Sequence, residues 1–152
     1  MTPEHAPDRR RSILSTVLIG LGMMAAVDEI VFHQILAWHH FVDRSTPAIA
    51  LLSDGLLHSA ELILLVLGFF LFSGLRKTGA LVRRAAWGGF FLGMGGFQLF
   101  DGLVNHKVLG LHEIRYVENL WVYDLMWNGA AVLLLLVGAV LLRRQGRTHA
   151  SR

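Results

Sequence analysis

The sequence predicts an all-α integral membrane protein, a four-helix bundle of two tandem helical-hairpin repeats with both termini cytoplasmic. Three observations predict this fold: four apolar stretches are long enough to cross a bilayer, basic residues gather at one end of these stretches, and one polar segment occurs twice. Of the 152 residues, 54% are hydrophobic and 16% are charged. A soluble domain normally carries roughly 25% charged residues, so the composition favours a membrane protein.

Four stretches have the predominantly apolar length of about 20 residues that a bilayer core requires. They cover residues 13–35, 48–72, 85–104 and 120–142. The third is rich in glycine, and Gly89 with Gly93 forms a small-xxx-small pair that predicts close helix packing. Only short loops and two polar tails, 1–11 and 143–152, remain outside the spans. We therefore expect one transmembrane domain over residues 1–152.

The placement of basic residues predicts the orientation. Eleven of the 14 Lys and Arg residues lie before the first span, between the second and third, or after the fourth, and three lie in the other two loops. Because positive residues are retained in the cytoplasm, both termini are expected inside and the loops 39–47 and 106–119 outside. The basic charge thus indicates topology and contact with the lipid bilayer, and we expect no nucleic-acid partner.

A polar segment occurs twice along the chain. Residues 28–39 align without gaps on residues 101–112, and Asp, Val, His, Leu and a second His recur at identical offsets. A weaker match pairs residues 54–58 with 124–128. The two hairpin repeats are predicted over about 12–75 and 80–145. They share one orientation, so their symmetry axis runs along the membrane normal. Cleavage of the first span as a signal peptide is not expected, because it would remove half of this pairing.

Ionisable side chains lie within or at the edge of the spans, where insertion costs roughly 2.5–3.5 kcal/mol each and where such groups usually face a bundle interior. Four aspartates fall at similar depth in the outer half of the membrane. Together with three histidines they form the predicted metal site: His33, His58, His106, Asp28, Asp54, Asp101 and Asp124. Further candidate ligands are Glu29, Glu61, His39 and His112.

Helical geometry orders these candidates. Asp54 and His58 are four residues apart and share a helix face, whereas Asp28 and His33 are five apart, about 140° around a regular helix. The latter two meet at one ion only if the helix is distorted or ends near His33. The distal histidines join the ring only if the outer loops fold back. The predicted order therefore places His33, His58 and His106 ahead of His39, His40 and His112.

The donor types point to a transition metal. Imidazole with carboxylate suits copper, zinc or iron, and the chain has no cysteine to supply thiolate. Four alternatives stay open. They are an interhelical Asp–His network that only stabilises helix association, a haem held by His33 and His106, a proton path, and a metal-dependent enzyme with an aspartate or Glu61 as general base. Transport across the membrane is not expected, because the spans are almost wholly apolar below Glu61 and Gln98.

Three segments, DEIVFHQILAWHH, DGLLH and DGLVNHKVLGLH, carry a family resemblance. The chain resembles a bacterial family of predicted membrane proteins of unknown function, over about residues 12–142. Glu29 stands where the family pattern has Gly. The resemblance implies a multi-pass protein of the bacterial inner membrane. Family members are often encoded near membrane proteins of cytochrome oxidase and copper handling, which implies partners in respiratory oxidase assembly or copper handling. The resemblance supplies no reaction, so whether the protein is an enzyme stays open.

Overall fold

A computed structural model describes residues 6–147 of the protein as four helical rods. The first rod is α1, Arg9–Val27, continued by the π-helical segment π1, Asp28–Ile35. The second is α2, Pro47–Lys77. The third is α3, Arg83–Phe100, continued by the π-helical segment π2, Asp101–Val108, and the fourth is α4, Leu120–Arg147. The predicted all-α fold of four helices is confirmed, and residues 6–147 contain no β-strand.

Three of the rods are long and apolar enough to cross a membrane: Arg9–Ile35, Pro47–Lys77 and Leu120–Arg143. The third rod has two segments, 18 and 8 residues long, and several glycines. It contacts α1 along one side and α4 along another, while α2 contacts α1 from the other flank. The helices thus pack in the spatial order α2, α1, α3, α4, and α1 with α3 forms the centre.

Glycines allow α1 and α3 to approach closely. A Cβ atom on Gly93 would meet the carbonyl oxygen of Val17, and one on Gly20 would meet the carbonyl oxygen of Phe90. A Cβ on Gly89 would lie 2.6 Å from the carbonyl oxygen of Ile13. The pair of glycines in the third span therefore lies in the central helix contact, where backbone packs on backbone.

The start of α1, the middle loop and the last turns of α4 meet at one end of the protein. The amide of Asp8 donates to the carbonyl oxygen of Ala80 at 2.9 Å, and Arg84 Nε donates to that of Leu141 at 3.1 Å. Asp8 also caps α1 by accepting from the amide of Arg11. The loops that carry His39 and His112 lie at the opposite end. The polar residues of the predicted site are therefore collected at one end of the molecule.

The two π-helical segments have matching backbones 73 residues apart in the sequence. The amide of Leu36 donates to the carbonyl oxygen of Val31, and that of Leu109 to Val104, both at 2.8 Å. The chain then turns at aligned residues of positive φ, Ala37 at 47° and Gly110 at 58°. Alanine in the left-handed region costs roughly 1 kcal/mol or more, so this turn is maintained in the first half without the usual glycine.

Candidate metal centre

Four buried imidazoles form one cluster beneath the loops 39–47 and 106–119, which we call the outer loops after their predicted orientation. We call His33, His39, His106 and His112 the four-histidine cluster. The rings of His39 and His112 stack in parallel with their centroids 4.4 Å apart. His33 stands edge-on to His39 at 4.6 Å, and His106 stands edge-on to His112 at 4.5 Å. Each half of the chain contributes two rings in the same arrangement, because each outer loop folds back over its own π-helical segment.

Hydrogen bonds fix the tautomers of the two stacked rings. His39 Nδ1 lies 3.0 Å from the carbonyl oxygen of Ile114, and His112 Nδ1 lies 2.8 Å from that of Phe41. A carbonyl oxygen only accepts, so each Nδ1 donates its proton and each Nε2 carries a lone pair. Both Nε2 atoms are buried without a hydrogen-bond partner among the described residues. A histidine that donates from one ring nitrogen to a carbonyl and leaves the other free is the usual state of a metal ligand.

The same two rings are held uncharged. Burial, together with the neighbouring imidazole of His112, lowers the pKa of His39 to about 2. Burial also lowers the pKa of His112 to about 4, although the Asp101 carboxylate acts in the opposite direction. Metal ions bind the neutral imidazole, so these two ligands need lose no proton at neutral pH.

The π-helical segments bring a carboxylate to each half of the cluster. In a π-helix the backbone bonds join residues five apart, so such residues lie above one another. His33 Nε2 lies 3.8 Å from Asp28 Oδ2, and His106 Nε2 lies 3.0 Å from Asp101 Oδ2. The geometry at these atoms is not that of a hydrogen bond, and none of the four atoms has a hydrogen-bond partner within the part of the chain described. The helix distortion that the Asp28–His33 spacing required is present in both halves.

A second group of ligands lies beside His33 in the first half only. His33 Nδ1 is 2.6 Å from Glu29 Oε2 and 3.3 Å from Asp54 Oδ1. Asp54 also faces the outer loop, where its Oδ2 lies 2.6 Å from His40 Nδ1 and its Oδ1 accepts from the amide of Phe41 at 2.8 Å. His33 therefore belongs both to this carboxylate group and to the four-histidine cluster.

The remaining predicted ligands lie outside the cluster. His58 Nδ1 is 2.6 Å from Glu61 Oε1, and its Nε2 is 3.7 Å from Glu29 Oε1. Asp124 Oδ2 lies 2.8 Å from the ammonium of Lys107 instead of near an imidazole. The structure thus places His58 and Glu61 next to the first-half carboxylates and ties Asp124 to a lysine.

Three sets of side chains have ligand atoms within 4.8 Å of one another and could each hold an ion. They are His33, His39 and His112; Asp101, His106 and His112; and Glu29, His33 and Asp54. A buried polar atom without a partner costs roughly 1–3 kcal/mol, so several in one place call for a ligand that satisfies them together. Nitrogen and oxygen donors of this kind fit a transition-metal ion.

Geometry on a regular helix gave the distal histidines and His40 a low rank, yet His39 and His112 form the centre of the cluster. One sequence feature could have given His39 and His112 a higher rank among the predicted ligands. Gly110 stands two residues before His112, and a glycine after a helical segment favours the left-handed turn that reverses the chain. The ungapped alignment would then have transferred the same turn to Ala37 and His39.

The chain matches the model of a family described as predicted membrane protein (DUF2243). The match extends over residues 15–145 and so includes both outer loops and the four-histidine cluster. No curated protein and no solved structure matches the chain. The family description assigns no activity, so the site itself is the source of any functional inference.

Proposed function

The chain belongs to this family of predicted membrane proteins, and we propose that it binds a transition metal in the four-histidine cluster. One observation carries the proposal: His39 and His112 each donate from Nδ1 to a carbonyl oxygen and hold a buried, unpartnered Nε2 beside two further imidazoles. An Asp–His network that only stabilised the helices would pair these nitrogens. Because the buried nitrogens are left free, a bound ion explains the arrangement better than a structural role does.

Copper held for respiratory oxidase assembly is the finer proposal. Imidazole-rich sites suit copper as well as zinc or iron, and copper(II) stands highest in the affinity order of the divalent first-row metals. The family resemblance, with members often encoded near cytochrome oxidase and copper-handling proteins, supports the same choice. The soluble or membrane partner would then be a protein that gives or receives copper.

The cellular location of the protein and its orientation in the membrane are also proposals. We place the protein in the bacterial inner membrane with the basic end and both termini in the cytoplasm, since eleven of the 14 Lys and Arg residues lie at that end. The four-histidine cluster then lies near the outer face. We propose one domain of two duplicated hairpins, because the ring arrangement and the backbone turns repeat 73 residues apart.

Elemental analysis of the detergent-purified protein, with an optical spectrum, tests the function. We expect about one or two equivalents of a transition metal per chain, as in a mono- or dinuclear centre of a helix bundle. The spectrum should lack haem absorption, since the stacked rings of His39 and His112 lie between His33 and His106, the two residues that would hold a haem. A folded protein that takes up no metal from copper, zinc or iron solutions contradicts the proposal and favours the purely structural network.

A further inference from the structure

The two halves of the protein share the four-histidine cluster but differ in what joins it to the surface. Glu29 in the first half aligns with Gly102 in the second, so only the first half has a carboxylate at this position. The first half also has Asp54 next to His33, whereas the aligned Asp124 lies near Lys107. The structure is therefore symmetric at its centre and asymmetric around it.

In the first half, a continuous series of metal-ligand groups leads from the outer loop to the cluster. The His40 side chain is 44% exposed, and its Nδ1 lies 2.6 Å from Asp54 Oδ2. The other oxygen of Asp54 lies 3.3 Å from His33 Nδ1, which is also 2.6 Å from Glu29 Oε2. The ring of His33 belongs to the cluster itself, in contact with His39. Neighbouring side chains in this series lie close enough together for an ion to exchange one ligand at a time.

In the second half, a lysine stands where such a series would begin. Glu113 aligns with His40, and Asp124 aligns with Asp54. The ammonium of Lys107 lies between them, 2.9 Å from the Glu113 carboxylate and 2.8 Å from that of Asp124. A fixed positive charge repels a metal cation and already satisfies both carboxylates. The first half has the neutral Gln34 at the position that aligns with Lys107, and its side-chain amide donates to Glu29 Oε1 at 3.0 Å.

We infer that the metal ion reaches the four-histidine cluster from the first half only, through a loading site formed by Glu29, His33 and Asp54 with His40 as its exposed ligand. The inference rests on the proposed function and adds to it the side from which the metal ion enters. The ion that is loaded is a hydrated divalent transition-metal cation. It is attracted by the two carboxylates and passes to the cluster by exchange of ligands around His33.

Stopped-flow mixing of the metal-free full-length protein with copper(II) tests this route. Copper(II) quenches nearby tryptophan fluorescence, and Trp127 reports on the cluster because its ring lies 6.4 Å from that of His106. The variant His40→Gln keeps a hydrogen-bonding side chain toward Asp54 but removes the imidazole. We expect its loading rate to fall at least about tenfold, because the variant removes the exposed ligand and about tenfold is the lower end of the effect of losing a supporting partner at a metal site. The final copper content should be unchanged. The matched control is Glu113→Gln, the aligned position in the second half, which should load at the wild-type rate.

The outcomes separate the route from the function. Wild-type protein that takes up no copper contradicts the proposed function and the route with it. Normal uptake by the wild type, with equal loading rates in His40→Gln and Glu113→Gln, overturns the route alone. If His40→Gln does not fold, Lys107→Gln decides the matter. Faster loading in that variant supports closure of the second half by the lysine, and an unchanged rate contradicts it.

Discussion

Replacing His112 with alanine should lower the affinity for metal by more than about 100-fold, because loss of a direct ligand exceeds the 10–100-fold effect of losing a supporting partner. The His112 ring is fully buried, stacks on His39 and stands edge-on to His106. It is also common to two of the three candidate ligand sets. Equilibrium titration against a competing chelator measures the change. His39→Ala should behave in the same way, since its ring occupies the corresponding place in the other half.

The adjacent residue supplies the control for this experiment. Glu113 is partly buried but pairs with Arg44 and Lys107 and belongs to none of the three candidate ligand sets, so Glu113→Gln should bind metal as the wild type does. Saturating metal should also raise the unfolding temperature of the wild type, since an ion present at about 100 times its Kd adds about 2.7 kcal/mol of stability. In His112→Ala this increase should disappear while the helix content remains. If His112→Ala instead destabilises the metal-free protein and keeps wild-type metal affinity, the cluster is structural.

Replacing Gly93 with alanine should destabilise the protein by about 1–3 kcal/mol, the usual cost of adding atoms to a tightly packed contact. The new Cβ would meet the carbonyl oxygen of Val17, with the amide nitrogen of Leu21 at 2.9 Å and Gly20 Cα at 3.0 Å. All three are backbone atoms of α1, so no side chain can move aside, and the two central helices must separate. Thermal unfolding in detergent, followed by circular dichroism, measures the effect.

Gly96 is the matched control in the same helix. A Cβ at this position has no neighbouring atom within 4 Å, so Gly96→Ala meets no steric resistance. Alanine is preferred to glycine inside a helix by roughly 0.5–1 kcal/mol, so this variant should be as stable as the wild type or slightly more stable. Equal destabilisation by Gly93→Ala and Gly96→Ala would contradict the close contact of α1 with α3.

Much of the fold could be predicted from the sequence because it depends on composition and length. The apolar stretches fix the four helices, and the small residues of the third span predict its place against another helix. Membrane depth also follows from position along a helix, so the collection of Asp28, Asp54 and Asp101 at one end was predictable. These properties need no knowledge of side-chain direction.

The arrangement of the ligands depended on features that a regular helix does not contain. The π-helical hydrogen bonds rotate His33 toward Asp28, and the left-handed turn at Ala37 returns His39 to the interior. Neither follows from periodicity, which assumes one helical repeat throughout. Helical periodicity also could not predict the ion pair between Lys107 and Asp124, because this pair joins π2 to α4 across the fold.

X-ray absorption spectroscopy of the metal-loaded protein tests the central claim most directly, since it reports which atoms surround the ion. The four-histidine cluster predicts a first shell of nitrogen and oxygen atoms at about 2.0–2.1 Å for zinc. The outer shells should show the scattering of several imidazole rings, and this scattering should weaken in His112→Ala. A first shell of oxygen alone, with no imidazole scattering, would show that the ion lies elsewhere and would contradict a metal site at His33, His39, His106 and His112.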